Sequence, residues 1–430
     1  MMTILWSALI LSSVLIAAFN GSMPAVTQAS IDSAKAAVEL ALGLVGVMTF
    51  WLGMMRIVQD AGFLRTIERG LAPILRWLFP EVPPSHPAMQ AMMMNIASNM
   101  IGLGNAATPF GIKAMVELNR LNPVPGVATN AMVLFLAINT SSVSLAPLGV
   151  IGLRASLGSI NAAGIWLPTL LATTIATATA LITAKLLERM VRPASAYPPA
   201  QGPLPIATTE LPPVPDAERP ASRLGCLLAG AVMAMLAVGL LVTLRASLAS
   251  GLSASDFLRT VASTWTLPVL IAVILLYGLA KQIDLYQSLI EGAKEGFQVA
   301  IRIIPFLVAI MVAVGMFRAS GLMDILIGAI DPFTSTLGFP AAALPMALLR
   351  PLSGSGAFAV LAETMQTHGP DSYVGYLVST LQGSSETTFY VLAVYFGAVG
   401  VTRLRHAIAA GVIADVAGVV ASVIAVRLFL

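Results

Sequence analysis

Long apolar stretches run through this chain and leave few folds open to it. Each is close to the about 20 residues that an α-helix needs to cross a lipid bilayer, and charged residues make up only 10% of the chain. The stretches lie near residues 3–19, 38–58, 163–187, 224–244, 261–280, 297–317 and 406–428. Because unpaired backbone groups are costly in hydrocarbon, each stretch is expected to be helical. The sequence therefore predicts an all-α, polytopic membrane protein.

Composition also excludes several classes of function. The net charge of +3 is too small and too scattered for nucleic-acid binding, so no nucleic acid is expected as a partner. The single cysteine, Cys226, excludes an internal disulfide, and three widely separated histidines leave little for a metal site. The sequence contains neither a nucleophile-and-base motif nor the paired carboxylates of a hydrolase. We therefore expect no metal, no cofactor and no enzymatic activity.

Three segments, namely the first apolar stretch and two charged segments beside other stretches, need separate interpretation. Residues 3–19 are either a signal peptide or a first membrane helix; no Lys or Arg precedes them, so we expect an uncleaved helix. Residues 60–79 and 281–298 carry charges at helical spacing among apolar residues. Both are predicted to form helices that lie at the membrane surface.

Four further apolar stretches are interrupted by glycine, proline or polar residues: 88–112, 127–152, 341–365 and 372–400. In the first of them, "NMIGLGNAATP" places two asparagines around a Gly-x-Gly. Broken helix is tolerated in hydrocarbon only where it faces protein or a water-filled cavity. The freed backbone groups and helix ends can then bind a solute or an ion. We predict that the break at 99–109 lines a cavity.

Residues 192–222 form a linker rich in proline and alanine, which is predicted to be extended or disordered and exposed to solvent. It divides the chain into a first membrane half, 1–191, and a second membrane half, 223–430. Basic residues favour the cytoplasmic side of a membrane, and five of them flank the linker: Lys185, Arg189, Arg192, Arg219 and Arg223. The linker is therefore expected in the cytoplasm.

The two halves repeat short motifs in the same order. "GMMR" at 53–56 and "GMFR" at 315–318 are each followed by a glycine and, eleven residues later, by a proline. "GLGNA" at 102–106 falls opposite "GSGAF" at 354–358, and the polar "NTSSVS" falls opposite "QGSSETT". Paired interruptions in two halves are the best sequence indication of a transporter's substrate site. We infer an internal duplication, with the site where the broken segments meet.

Residues in and beside the breaks are the candidate substrate-binding residues. In the first half they are Asn99, Gly102, Gly104, Asn105, Thr108, Asn139, Ser141 and Ser142. In the second half they are Arg350, Ser353, Gly354, Ser355, Gly356, Gln382, Ser384, Ser385, Glu386 and Thr387. Two structural alternatives stay open: glycines that allow close helix packing, and amides that join helices. Both Gly-x-Gly motifs also fit a dinucleotide fingerprint, but neither has the βαβ setting that this function needs.

Arg350 and Glu386 are charged residues in an apolar setting. A charge at mid-bilayer costs about 2.5–3.5 kcal/mol even on the lenient insertion scale, so such residues are functional by default. The alternative is a structural ion pair between them. Glu386 is expected near the bilayer midplane, where it is the candidate for binding H⁺ or Na⁺ as the solute moves. Val143 stands at the corresponding position of the first half, so coupling is expected to be asymmetric.

Asp415 is the acid within the last apolar stretch, 406–428. One alternative gives it a functional role like that of Glu386. The other gives it a structural role, in which folding pairs it with Arg403 or Arg405. Both alternatives stay open.

These motifs resemble a known family. "NMIGLGNAATPFGIKAM" resembles spore maturation protein A, whereas "RPLSGSGAFAVLAE", "GPDSYVGYLVSTLQGSSETTFYVLAVYFGAVGV" and "ADVAGVVASV" resemble spore maturation protein B. The likeness covers most of residues 38–190 and 285–430, so the chain looks like a fusion with the linker as its seam. Both parts resemble the gate, or nucleoside-recognition, superfamily, which includes concentrative nucleoside transporters and the membrane part of ferrous-iron transporters. The gate-domain cysteines of iron transporters are absent here.

The resemblance implies a multi-pass protein of the bacterial inner (cytoplasmic) membrane, of transporter type, with a part in dehydrating the spore core in spore formers. It supplies no substrate, since fold does not establish function. We expect passage of a small polar solute, either nucleoside-like or a small organic anion, with coupling to H⁺ or Na⁺ left open. The rival function is a non-transporting scaffold of the cell envelope. The expected partners are the lipid bilayer and the solute, and a homo-oligomer is left open.

Overall fold

The computed structural model describes residues 2–102, 107–145, 147–197, 222–249, 265–334, 336 and 338–430. Over these ranges the chain is almost entirely helical, and its strand-like pairing is one parallel bridge between Val127 and Arg403. Within the same ranges three helical stretches are long and apolar enough to cross a membrane, and a bent helix pair makes a fourth: Ala162–Ala196, Arg223–Ser247, Ala407–Phe429 and Leu307–Ala319 with Leu322–Thr334. The prediction of an all-α, multi-pass membrane protein is confirmed.

Seventeen α-helices in the described ranges make up the two halves. In the first half, α1 to α8 are formed by Met2–Asn20, Met23–Asp60, Phe63–Leu78, Pro87–Ile101, Thr108–Arg120, Asn130–Thr140, Leu148–Ser156 and Trp166–Met190. In the second half, α9 to α17 are formed by Arg223–Ala249, Thr266–Ala280, Leu285–Ala319, Leu322–Thr334, Leu344–Leu349, Gly354–His368, Tyr373–Ser384, Thr388–Gly397 and Ala407–Phe429. All seven predicted apolar stretches contain a helix.

Residues 281–298 do not form a separate helix, which corrects a prediction. Helix α11 begins at Leu285, where the Asp284 carboxylate accepts a hydrogen bond from Gln287 N at 3.0 Å. It then continues through the apolar stretch to Ala319, because the Glu, Lys and Gln residues of its first turns are good helix formers. Helix α3 is separate from α2 because Gly62 takes a left-handed conformation, with φ of 76°, between them. The position of α3 at the membrane surface stays a prediction.

Turns recur in the two halves where the motifs repeat. Gly321 follows α11 with φ of 80°, as Gly62 follows α2 with φ of 76°. The helices that start after these glycines, α3 and α12, each contain one proline, Pro73 and Pro332. Around Gly321 the chain bends by 81° between the end of α11 and α12. The same helix–glycine–helix unit therefore occurs once in each half.

The long helices α2 and α11 pack against each other and join the halves. A Cβ atom added at Gly292 of α11 would lie 2.5 Å from the Leu52 carbonyl oxygen of α2 and 2.9 Å from Gly53 Cα. Farther along the pair, Gly315 lies against Ser33. Because position 53 meets position 292 whereas position 33 meets position 315, the helices run antiparallel. Small residues let helix backbones approach closely in this way.

Helices α8 and α17, the last helices of the two halves, form a second pair across the halves. Helix α8 has a buried alanine at every fourth position, namely Ala172, Ala176, Ala180 and Ala184. A Cβ atom at Gly418 of α17 would lie 3.6 Å from the Ala176 methyl group. Helices α6 and α15 pack against both α8 and α17. The breaks that follow α6 and α15 therefore lie beside this pair.

Helix α1 belongs to the first half by sequence but packs on the second. The Trp6 indole N–H donates to Ala309 O at 2.9 Å, and the Asn20 amide donates to Ser320 O at 2.9 Å. Both acceptors lie in or just after α11. Contacts between the halves thus extend from α1 to α17.

The start of the linker is folded against the second half. Residues 198–221 lie outside the described residues, so most of the predicted linker stays a prediction. Ala194–Ala196 form one 3₁₀ turn, and the Arg403 guanidinium lies 5.6 Å from the centre of the Tyr197 ring. The expectation of an extended or disordered chain is therefore wrong for Ala194–Ala196, whereas Tyr197 is extended.

Candidate functional site

A backbone hydrogen bond joins two of the broken segments within each half. In the first half, Leu145 N donates to Met100 O at 2.8 Å, which links the break after α6 to the end of α4. In the second half, Phe389 N donates to Pro351 O at 3.0 Å, which links the start of α16 to the break after α13. In each half, one broken segment therefore supplies a hydrogen-bond partner for a backbone group that the other broken segment leaves unpaired. Backbone groups in an apolar environment need such partners.

The breaks of the two halves also contact each other. Glu386 N, in the break after α15, donates to Thr140 O at the end of α6 at 2.9 Å. The Thr177 hydroxyl of α8 donates to Ser141 O, the next carbonyl of the α6 break. On the opposite side, a Cβ atom at Gly411 of α17 would lie 2.7 Å from the Thr388 methyl group. The prediction that the broken segments of both halves meet is confirmed.

A cluster of amides and one phenol lies on the first-half side of this junction. The Asn99 amide donates to Asn139 Oδ1 at 2.9 Å, and the Asn95 amide donates to Ala107 O at 2.9 Å. The Tyr395 hydroxyl accepts from Asn95 Nδ2 at 3.1 Å and donates to Asn139 Oδ1 at 3.3 Å. Asn95, Asn139 and Tyr395 are buried, and Asn95 Oδ1 has no hydrogen-bond partner. The cluster joins the halves and retains an unused acceptor.

Tyr395 comes from α16 of the second half and is a member of the cluster that sequence reasoning missed. Its ring stacks on Phe135 with 6.1 Å between ring centres, and its hydroxyl lies directly over Gly111 of α5. Tyrosine is common in apolar membrane segments, so the sequence contains no signal that separates this one. Only the approach of the two halves identifies it.

A charged cluster lies on the second-half side of the junction. Arg350, between α13 and α14, is only 7% exposed. Its Nη1 donates to the Thr387 hydroxyl at 3.3 Å, while its Nη2 donates to Ser385 O and lies 3.7 Å from Glu386 Oε2. The Arg350 Nε has no partner. The ion pair that was the structural alternative is therefore formed, with the Glu386 side chain still 44% exposed.

Asp415 of α17 completes the charged cluster. The Thr388 hydroxyl donates to Asp415 Oδ1 at 2.9 Å, and Asp415 Oδ2 is buried without a partner. The structural alternative, in which Asp415 pairs with Arg403 or Arg405, is not formed, because both arginines precede the start of α17 whereas Asp415 lies two turns into the helix. The side chain of Arg405 instead donates to Asn130 Oδ1 at 2.7 Å.

A small cavity with room for about one water molecule adjoins Arg350 and Asp415. Its lining residues are Ala347, Arg350, Pro351, Leu381, Ser384, Ser385, Asp415 and Val419. Ligand pockets usually have volumes of about 300–1,000 Å³, so this conformation is closed around the junction. Among the described residues, no group of three or more His, Cys, Asp and Glu side chains is placed to hold a metal ion.

Several predicted site residues have structural partners. Gly356 N donates to the Ser353 hydroxyl at 3.0 Å, which caps the start of α14. A Cβ atom at Gly354 would lie 3.0 Å from the Thr387 hydroxyl, so this glycine allows a close approach. The Ser141 and Ser384 hydroxyls donate to carbonyls of their own helices. Each of these groups would have to change partner to bind a solute directly.

The other predicted site residues differ in exposure. Gln382 Oε1 is buried without a partner, whereas Gly102 is exposed. Partly exposed positions beside the breaks are occupied by Thr108, Ser142 and Ser355. Gly104 and Asn105 lie outside the described residues. A role in substrate binding stays a prediction for all of these positions.

Arg154 of α7 is a fully buried arginine that sequence reasoning missed. Its guanidinium donates to Pro370 O at 2.5 Å and to Asp371 Oδ1 at 3.0 Å, and lies 4.1 Å from the centre of the Tyr376 ring. All three partners belong to the second half. The signal was present, because Arg154 is a single charge in the apolar segment 148–157.

Arg405 of the second half makes the reciprocal contact with the first half. It donates to Ala128 O at 3.1 Å and to Asn130 Oδ1, at the start of α6. Arg154 binds the residues just before α15, which occupies the corresponding place in the second half. Each half therefore holds the start of the other half's broken segment with one arginine.

Comparison with known proteins follows the division into halves. A family profile called Gate, described as nucleoside recognition, matches residues 41–157 and 300–402. Spore maturation protein B of Bacillus subtilis (strain 168) is 47% identical over 162 residues, which are 38% of this chain and 91% of that protein. Spore maturation protein A of the same strain is 40% identical over 182 residues, which are 42% of this chain and 93% of that protein. No solved structure matches the chain.

Proposed function

We propose that this chain moves a small polar solute across the membrane. The chain belongs to the Gate family, and it contains one region similar to spore maturation protein A and one similar to spore maturation protein B. The path runs through the junction of the broken segments. The membrane is the bacterial inner membrane.

The observation that carries this proposal is a set of buried polar atoms without partners around that junction. They are Asn95 Oδ1, Gln382 Oε1, Arg350 Nε and Asp415 Oδ2. A buried polar group without a hydrogen bond costs about 1–3 kcal/mol, and these four atoms belong to the amide cluster, to the charged cluster or to the last turn of α15 before its break. A solute that presents both donors and acceptors would satisfy them.

Two solute classes suit the two sides of the junction. A nucleoside offers hydroxyls and base edges to the neutral cluster of Asn95, Asn99, Asn139 and Tyr395. A small organic anion would instead bind the Arg350 guanidinium, which requires that Glu386 release it. The neutral cluster has a free acceptor, Asn95 Oδ1, and no ion pair that must first separate, and the family profile is described as nucleoside recognition. We therefore place nucleoside-like solutes first.

Movement of the solute requires that the junction open, because the present cavity holds about one water molecule. Duplicated transporters alternate by rocking one repeat against the other around a central site. Here the halves meet along α2 with α11 and α8 with α17, and the breaks lie beside the second pair. A shift between the halves would separate the hydrogen bond from Glu386 N to Thr140 O and open the junction.

One observation favours the rival function of a membrane scaffold. Arg350 already has three partners within the protein, and Arg154 and Arg405 join the halves with partly buried hydrogen bonds. Such contacts would hold a rigid assembly together. A scaffold predicts no response to any solute, which makes the two functions separable by experiment.

The test is a thermal-shift screen of the purified full chain against nucleosides, nucleobases and small carboxylates. A ligand that binds only the folded state adds about 2.7 kcal/mol of stability at 100 times its dissociation constant. We expect one class to raise the melting temperature in a concentration-dependent way, and the same class to enter proteoliposomes that contain the protein.

Two matched variants locate the binding site. Asn139→Ala removes an amide from the junction, whereas Asn119→Ala removes an amide on α5 that pairs with Asn122. We expect Asn139→Ala to lose the thermal response and the uptake, and Asn119→Ala to retain both. No response and no uptake across the panel would contradict the proposal and support the scaffold. Equal loss in both variants would contradict the assignment of the junction.

A further inference from the structure

The charged cluster contains one more acid than it has bases. Arg350 lies 3.7 Å from Glu386 and forms an ion pair with it, which leaves Asp415 without a cation of its own. The Glu386 side chain is 44% exposed, whereas Asp415 is 8% exposed. A negative charge costs more free energy on the carboxyl group that is less exposed to water. When the cluster holds one proton, that proton is therefore on Asp415. Glu386, which the sequence suggests for ion binding, is the more exposed acid and pairs with Arg350.

The hydrogen bonds of Asp415 fit a neutral carboxyl group. Its Oδ1 accepts from the Thr388 hydroxyl at 2.9 Å, and its Oδ2 has no partner although it is buried. An ionised carboxylate attracts several donors, and here one oxygen has none. The same residue lines the small cavity beside Arg350. A water molecule in that cavity would be the acceptor for a proton on Oδ2.

No other charge faces Asp415 from the helices packed around it. Helix α8 carries no charged residue from Trp166 to Ala184, and α6 carries none at all. The tyrosines of α15 lie near its start, far from the break, and Tyr395 of α16 is engaged by the amide cluster. The charged neighbours of Asp415 among the described residues are therefore Arg350 and Glu386.

We propose that Asp415 is a proton-binding site, with its carboxyl group protonated in this closed conformation. When the broken segments separate and water enters, the carboxyl O–H bond breaks, the proton passes to water and the carboxylate is left solvated. Closing the junction reverses the transfer.

Coupling of this proton to solute movement rests on the proposed function, whereas the proton site itself does not. Because the first half has no charged residue in its breaks, the duplicated scaffold would carry one proton site and not two. The solute would then meet a neutral amide cluster on one side and a titrating group on the other.

Infrared spectroscopy of the purified full chain tests the site directly. A protonated carboxyl group gives a carbonyl band that vanishes as the group ionises, and we expect such a band to titrate in the wild type. Aspartate labelled with ¹³C at its carboxyl group should shift that band. Among the described residues Asp415 is the aspartate that is buried, so the label identifies it without any variant.

Two variants then distinguish the acids. Asp415→Asn, which keeps the shape of the neutral carboxyl, should lose the band, and Glu386→Gln should keep it. A band that survives in Asp415→Asn, or that does not respond to labelled aspartate, overturns the proposal. Should Asp415→Asn fail to fold, the labelled wild type decides alone.

The dependence of stability on pH gives a second readout. Because the folded state holds a proton that the unfolded chain releases above about pH 4, Asp415 should make the protein less stable as the pH rises above that value, and the melting temperature of the wild type minus that of Asp415→Asn should fall with rising pH. In proteoliposomes, Asp415→Asn should transport a solute found by the screen without dependence on a pH gradient. Absence of any transported solute would refute the proposed function but leave the infrared result standing.

Discussion

At the scale of single residues, the contact between Gly111 and Tyr395 decides how closely the halves approach. A Cβ atom on residue 111 would overlap the Tyr395 hydroxyl and ring. The hydroxyl reaches Asn95 and Asn139 only because nothing stands in that place. A glycine in one half thus positions a phenol of the other.

Gly111→Ala is therefore expected to destabilise the protein by about 1–3 kcal/mol, as overpacking of a filled interior does. The same change should have a smaller effect in a Tyr395→Leu background, because the ring that the methyl group meets is gone. Thermal unfolding of the two single variants and the double variant, in one detergent, measures the coupling. Strict additivity of the two changes would show that these residues do not touch.

His406 is expected to make the folded protein less stable at acid pH. It lies just before α17 and is buried with Nδ1 unpartnered, and burial together with the neighbouring Arg405 lowers its pKa to about 4. The folded state keeps the imidazole neutral, whereas the unfolded chain takes up a proton near pH 6.5. Stability from this residue is therefore complete above about pH 6.5 and is lost as the pH falls toward 4.

His406→Phe should flatten the acid side of a plot of melting temperature against pH. The matched variant His368→Gln, at the end of α14, should leave the acid side unchanged. A slope that persists in His406→Phe would assign the loss of stability at acid pH to another group.

At the scale of elements, glycine has different roles along the same pair of helices. Gly292 lies where α11 touches the backbone of α2, whereas Gly46 of α2 has open space around the place of its Cβ. A glycine inside a helix costs up to about 1 kcal/mol relative to alanine. The sequence alone does not separate the two positions.

Gly292→Ala should therefore destabilise the protein by about 1–3 kcal/mol, because the added methyl group would lie 2.5 Å from the Leu52 carbonyl oxygen. Gly46→Ala should be neutral or stabilising by up to about 1 kcal/mol. Thermal unfolding of both variants tests the difference. Equal effects would mean that α2 and α11 are not in close contact at Gly292.

At the scale of the whole molecule, the two halves are joined by many contacts besides the linker. Two helix pairs, the amide cluster and the reciprocal arginines Arg154 and Arg405 all cross between them. Removing one partner of a buried charged contact costs about 3–5 kcal/mol. The linker is therefore a connection and not the main source of cohesion.

A chain interrupted at residue 207 should reassemble when its two halves are produced together. A tag on the first half is expected to retain the second half through purification, and Arg154→Leu should reduce the amount retained. Halves that purify separately as single species would contradict this assembly.

The orientation in the membrane is predicted from the basic residues at the ends of the linker, among them Lys185, Arg189 and Arg192. A reporter fused at Ala207 should report the cytoplasm. Alkaline phosphatase activity from a fusion at that position would reverse the orientation of the whole chain.

Much of the fold could be read from the sequence, because hydrocarbon leaves the backbone few choices. The apolar stretches form helices, and the interruptions at 99–109 and 382–388 are breaks, since each needs only local composition to be recognised. Paired motifs also indicated that the breaks of the two halves meet. Local patterns failed at residues 281–298, where good helix formers continue one helix through a change from polar to apolar residues.

Only the tertiary structure decided which side chains share the junction. Tyr395 joins Asn95 and Asn139 from 256 to 300 residues away, and Asp415 lies beside Arg350 instead of the nearer arginines 403 and 405. Glu386 is the more exposed acid and Asp415 the buried one, a difference that the sequence does not reveal. The burial of a side chain and its hydrogen-bond partners depend on how the two halves pack. The spacing of apolar residues along a helix determines which face is apolar, but not which residues lie opposite that face.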